Sequence, residues 1–245
     1  MIRGIEARQN GFSLVELMVA MVLGLVLLGG TIAIYASSKD SYRLQENVAG
    51  MQENARFAIA ALRRNMELAG FPRVLDIAPF DPAQTLDGGG NNNDQITIRY
   101  QSATDCLGNG TPANGPDQGI AVNRYYINNQ NNLLCLGNGN PIAQTLVENV
   151  DNLQVLYGID DDGDGSANRY ATAAETANGV ISAGTPDWDN VVSLRLALLI
   201  SSENDIGTAQ QAGGFTLLDA PAIKPNDDRL YRVFTTTIPL RNRIP

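Results

Sequence analysis

Apolar positions along this chain follow three rhythms. From Leu17 to Ala36, twenty consecutive residues are apolar or small and none is charged. As a helix such a run rises roughly 30 Å, about the thickness of the hydrocarbon core of a bilayer. From Leu44 to Ala69 the apolar residues recur every three or four positions, as Leu44, Val48, Met51, Ala55, Ile59, Leu62, Met66 and Ala69, while Arg43, Glu46, Gln52, Glu53, Arg56, Arg63 and Arg64 fall between them. That is the pattern of an amphipathic helix. Gly70-Phe71-Pro72 supplies its stop, with Gly suited to the C-cap and Pro unable to extend the helix. The two rhythms join without a break, so one helix is expected over Phe12–Ala69, roughly 87 Å long. Its apolar half holds no proline, although Gly24, Gly29 and Gly30 loosen it.

Beyond Phe71 the period falls to two. Gln95–Tyr100 alternates, Ile120–Ile127 and Leu153–Tyr157 are β-rich, and Val191–Ile200 places Val192, Leu194, Leu196, Leu198 and Ile200 on one face. In Arg232–Leu240, Val233, Thr235 and Thr237 alternate with Phe234 and Thr236. Gly/Asn/Asp-rich stretches at 87–94, 108–119, 128–132 and 137–141 read as surface turns or mobile loops. No repeat of fixed period is present.

The polar residue out of place is Glu16, next to the apolar run. A carboxylate in a membrane-buried helix costs several kcal/mol unless it is paired, so Glu16 needs a cationic partner. A short stretch containing Arg3 and Arg8 precedes it, and then Gly11-Phe12-Ser13-Leu14-Val15-Glu16-Leu17. This segment resembles the class III signal of type IV prepilins and pseudopilins. The resemblance implies cleavage after Gly11 by a prepilin peptidase, N-methylation of Phe12, and pairing of Glu16 with the terminal amine of a neighbouring subunit during assembly. An ordinary signal peptide cut near Ala36-Ser37-Ser38 fits less well, because its apolar region would be too long and would begin with a glutamate. A plain signal anchor with an interfacial Glu16 is the other reading.

Arg3 and Arg8 place the N-terminus in the cytoplasm by the positive-inside rule and everything after Ala36 outside it. The segments are therefore a leader (1–11), a membrane and filament-core half-helix (12–36), an amphipathic half-helix (37–69) and a periplasmic β-rich domain (70–245). The fold class expected from the resemblance is α+β, a type IV pilin-like long helix packed on an antiparallel sheet domain. Lys and Arg number 17 against 26 acids, which disfavours nucleic acid as a partner.

There are two cysteines and no histidine, so Cys/His zinc sites and the Ser-His and Cys-His catalytic arrangements are excluded. In an oxidising compartment Cys106 and Cys135 can pair, closing a ring of about 30 residues worth roughly 3–4 kcal/mol; the alternative is two buried thiols. The Asp-rich stretch is one cluster in a turn, not two carboxylates spaced across a cleft, so a glycosidase is not indicated either. The chain is expected to be no enzyme.

Asp160-Asp161-Asp162-Gly163-Asp164-Gly165 fits D-x-D-x-D-G, the opening of a calcium loop. Asp160, Asp162 and Asp164 would converge on the ion. Position 12 is Ala171 and not the bidentate Glu of an EF-hand, so Glu175 or backbone carbonyls would have to complete a Ca2+ site. The alternative is a solvated acidic turn.

Across the globular part the order of features resembles the PilW-type minor pilins. Its carriers are Glu53-Asn54-Ala55-Arg56-Phe57-Ala58 with Gly70-Phe71, then Val147–Val150 leading through Leu153–Gly158 into the Asp-rich turn. Trp188 ahead of Val191–Leu199 and the C-terminal run from Arg232 to Arg243 complete the set. The resemblance implies a non-catalytic minor pilin that helps to initiate pilus assembly and sits at or near the pilus tip. Its partners would be other minor pilins, the major pilin, the prepilin peptidase, the inner-membrane assembly platform and a tip adhesin. A minor pseudopilin of a type II secretion system is the alternative.

Overall fold

A computed structural model describes residues 11–90, 92–205 and 213–244. Arg3 and Arg8 of the leader lie outside the described residues. Two compact units divide at Glu46/Asn47.

Helix α1, Leu14–Met66, is unbroken over 53 residues and contributes to both units. The Ser13 carbonyl accepts the first helical hydrogen bond, from the Leu17 N–H at 3.1 Å. In the first unit every described residue is exposed except Gly24, which is half-buried. In the second unit Asn47, Met51, Ala55, Ala58, Leu62 and Met66 are buried, at spacings of three and four. The expected stripe holds from Met51 onward, but Leu44 is 44% exposed and Ala58 is buried where Ile59 is only half-buried. The helix also stops three residues before Ala69. Leu68 and Ala69 donate to Asn65 and Met66, so the last turn tightens to i→i+3 bonds. The chain then turns at Gly70, whose φ of +74° suits a residue without a side chain.

Within the second unit, two four-stranded antiparallel sheets pack with the buried stripe of α1 into one apolar cluster. The first sheet runs in order β1 (Ile96–Gln101), β2 (Ile120–Ile127), β3 (Leu133–Gly137), β4 (Gln144–Val147). The second has the order β6 (Arg169–Ala171), β5 (Val150–Ile159), β7 (Val191–Asp205), β8 (Arg229–Pro239). A short helix, α2 (Ala173–Asn178), follows β6. Phe80, Tyr157 and Trp188 meet edge-on or tilted at 5.1–5.6 Å between ring centres, a geometry that aromatic quadrupoles favour.

Strand β7 departs from its expected one-sided pattern. Leu194, Leu196, Leu198 and Ile200 do enter the main cluster, joined by Val191 and not Val192, because the β5–β7 ladder slips at Gly158/Ile159. The opposite face is buried as well: Ala197 and Leu199 pack with Leu217 and Tyr231. The chain between β7 and β8 folds back there, pinned by the Phe215–Ile223 pairing. A near-continuous apolar run of this kind marks a strand covered on both faces.

Candidate assembly segment and acidic turn

Gly11 and Phe12 precede the helix in non-helical backbone and are exposed, Phe12 by 85%. Glu16 lies in the first helical turn and is exposed. An acid there is favoured by the partial positive charge of a helix N-terminus. Ser13-Leu14-Val15-Glu16 also has the form of a capping box. Neither of the two side-chain bonds of such a box occurs among the described residues, so the Glu16 carboxylate is not committed locally. Around it Leu14, Val15, Leu17, Met18 and Met21 are 55–74% exposed. A continuous apolar surface of this kind calls for lipid or other protein. By length and composition α1 is able to cross a membrane.

In the acidic turn, carboxylate oxygens of Asp160, Asp162 and Asp164 lie within 4.8 Å of one another, so the three could hold a metal ion. Gly163 and Gly165 have φ of +79° and +85°, which lets the backbone fold around Asp160. Asp160 Oδ1 accepts the N–H groups of Asp162 (3.3 Å) and Gly163 (2.7 Å), and Oδ2 accepts that of Gly165 (2.8 Å). Desolvation of Asp160 works against ionisation, but these donors outweigh it and hold the carboxyl below its usual range. Asp162 accepts from Asp164 N–H and Asn168 Nδ2, and Asp164 accepts from Ser166 N–H. Asp161 points elsewhere, to Arg169. The loop thus holds the three carboxylates grouped, which suits an oxygen-liganded cation.

Glu175 is not part of that group. It is the N3 residue of α2, where its carboxylate accepts the Thr172 N–H at 2.9 Å and Thr172 Oγ1 accepts the Glu175 N–H at 3.2 Å. This is a reciprocal capping box, and its signature Thr172-Ala173-Ala174-Glu175 was legible in the sequence. Ala171, at loop position 12, is buried in β6.

Cys106 and Cys135 are joined by a disulfide with Cα atoms 6.7 Å apart. It ties the segment after β1 to β3.

Sequence reasoning missed a set of buried aspartates that anchor the loops. Asp94, 5% exposed, accepts the N–H groups of Gly88 (2.9 Å) and Val155 (2.7 Å) and donates its own N–H to Leu153. The 87–94 stretch is thereby fastened to β5. Burial pushes the Asp94 carboxyl up to about 6, and nearby Asp87 and Asp219 add to the rise against the two N–H donors. Asp105 accepts from Leu107, Asn109 and Gly139. Gly137 must be glycine beside it, because a Cβ there would run into the Asp105 carboxylate. Asp187 accepts from Val180 and Ile181. An Asp in a polar stretch carries no signal separating such an anchor from a solvated turn residue.

Residues 124–242 match the family model described as type IV pilus-assembly protein W, and residues 7–32 match that of the prokaryotic N-terminal methylation motif. No curated protein matches the chain significantly. Among solved structures it is similar to a type IV-like pilin from Thermus thermophilus, at 15% identity and a TM-score of 0.38, over 66% of this chain and 83% of that one.

Proposed function

We propose that this chain, whose residues 124–242 match the type IV pilus-assembly protein W model and whose residues 7–32 match the N-terminal methylation motif, is a non-catalytic PilW-type minor pilin that helps to initiate pilus assembly and sits at or near the tip. The observation that carries this reading is the exposed Gly11-Phe12 pair leading into a helix whose only charge up to Ala36 is an uncommitted Glu16. As a pilus component it interacts with other pilus and assembly proteins. The specific partners we infer are other minor pilins, the major pilin, prepilin peptidase, the inner-membrane platform and a tip adhesin. The N-terminus would be cytoplasmic and the second unit periplasmic until export into the fibre.

Mass spectrometry of the protein from pili should find a mature N-terminus of N-methylated Phe12. An intact Met1, or a start near Lys39, would sink the reading. Glu16→Ala should leave the second unit folded and the chain membrane-bound, since removing a lone carboxylate eases insertion, while pilus number falls. Normal piliation with full incorporation of the variant counts against the pairing role.

The grouped carboxylates of Asp160, Asp162 and Asp164 favour a further reading, that the turn binds Ca2+; a type II secretion pseudopilin remains the alternative setting for such a site. Bound calcium would neutralise the repulsion among the carboxylates and stabilise the folded state by about 2.7 kcal/mol at a hundredfold excess over Kd. The melting temperature should rise with calcium, respond less to magnesium, and lose its response in Asp162→Ala. A flat calcium titration would leave a solvated turn. Crosslinking in cells distinguishes minor pilins from secretion components as neighbours.

A further inference from the structure

Two sheets have four edges, and three of them are closed or short. The outer edge of β1 is covered by the preceding chain: Gly70 and Asp81 donate to the carbonyls of Arg99 and Thr97, while Arg99 and Gln101 donate to those of Pro79 and Phe71, at 2.7–3.1 Å. The edge strands β4 and β6 have four and three residues. β8 has eleven. Natural sheets guard such an edge with Lys, Pro, a bulge or a covering segment. Between Tyr231 and Ile238 there is no Lys and no Pro, and the pairing with β7 runs without a slip.

The register says which groups are free. Leu240 donates its N–H to Val192 O at 2.8 Å and Leu230 donates to Ser202 Oγ at 2.9 Å, so even-numbered residues turn their backbone toward β7. With a period of two, Tyr231, Val233, Thr235 and Thr237 turn theirs outward. No backbone group of the described residues bonds them there. Only an extended strand offers donors and acceptors at that spacing.

Charge narrows the occupant. Residues 229–243 hold four arginines and no acid, in a chain of net charge −9. Arg229 is engaged by Asp151 and Asp227, and Arg243 by Asp189. Arg232 and Arg241 are exposed and have no ion pair among the described residues. Two copies of β8 laid side by side would gather arginines without carboxylates.

We propose that the outer edge of β8 receives an extended, carboxylate-bearing strand of another pilus protein, which adds to the second sheet beside β8. That the strand comes from a pilus protein rests on the pilin reading.

The test places p-benzoylphenylalanine at Thr237 in the full-length chain in piliated cells and maps adducts after illumination. Adducts should fall on a single extended, Asp- or Glu-containing segment of a different protein. Thr235→Pro removes an outward N–H and spares the β7 ladder, and should lower adduct yield roughly tenfold with the chain still protease-resistant. Should that variant fail to fold, Arg232→Glu, which leaves the backbone intact, decides with a drop of about fivefold. Adducts to a second copy or a helical segment, no adducts, or yields unmoved by the variant that folds would overturn the proposal. If Phe12 is N-methylated and the chain enters pili while Thr237 gives no adduct, the edge fails and the pilin reading stands.

Discussion

From Leu14 to Glu46 every residue but Gly24 is exposed, whereas from Asn47 to Met66 a residue is buried every three or four, although both stretches belong to one continuous helix. Backbone hydrogen bonding is the same in the two; what differs is the solvent each is built for. The first is apolar all round, which in water is a liability and in lipid is the solution that satisfies every backbone group internally. The second hides one stripe against two sheets and leaves Glu53, Arg56 and Arg64 exposed. A single helix thus joins a segment made for partners or lipid to one made for a folded core.

The widest gap between the two stretches should come from matched truncations. Leu62 is fully buried and Leu28 is 60% exposed. Leu62→Ala should cost about 2–5 kcal/mol of unfolding free energy, and Leu28→Ala should leave the second unit unchanged within about 0.5 kcal/mol. Equal losses in denaturant titrations would erase the distinction. Replacing Cys106 and Cys135 together by Ala should cost about 3–4 kcal/mol by releasing a loop of about 30 residues. Membrane association of the first stretch should not change, and a coupled loss would show that the two are not independent.

Acidity sharpens the contrast by a smaller amount. The Asp94 carboxyl rises from 3.8 to about 6 on folding, so the folded state holds its proton more tightly than the unfolded chain. The stability it contributes is complete below pH about 4 and is lost as pH rises to about 6, on the order of 2–3 kcal/mol. Asp94→Asn should flatten that part of the stability curve for the second unit. An unchanged slope between pH 4 and 6 would remove Asp94 as its source.

Local pattern carried further in some elements than in others. Ile120–Ile127, β-rich in the sequence, is β2 to the residue, and the helix end at Ala69 expected from Gly70-Phe71-Pro72 lies three positions beyond the observed end at Met66. The short strands β3, β4 and β6 gave too few periods to be read. Asp160, Asp162 and Asp164 were recognisable because their spacing is itself the motif, while Asp94, Asp105 and Asp187 were not, because what makes them anchors is the N–H groups brought to them from other segments.

The sequence by itself determined the signature from Gly11 to Leu17, the uncharged run to Ala36, the stripe from Met51 to Met66 and, with only two cysteines, the one possible intramolecular disulfide. Each depends on residue types at short spacing or on a count. Tertiary structure alone decided that Ala197 and Leu199 are covered as well as Leu196 and Leu198, and that β8 ends its sheet with an outer edge that no other described segment pairs with. These follow from which strand lies beside which, and that choice is settled by burial and hydrogen bonding between residues far apart in the chain, where local periodicity has no reach.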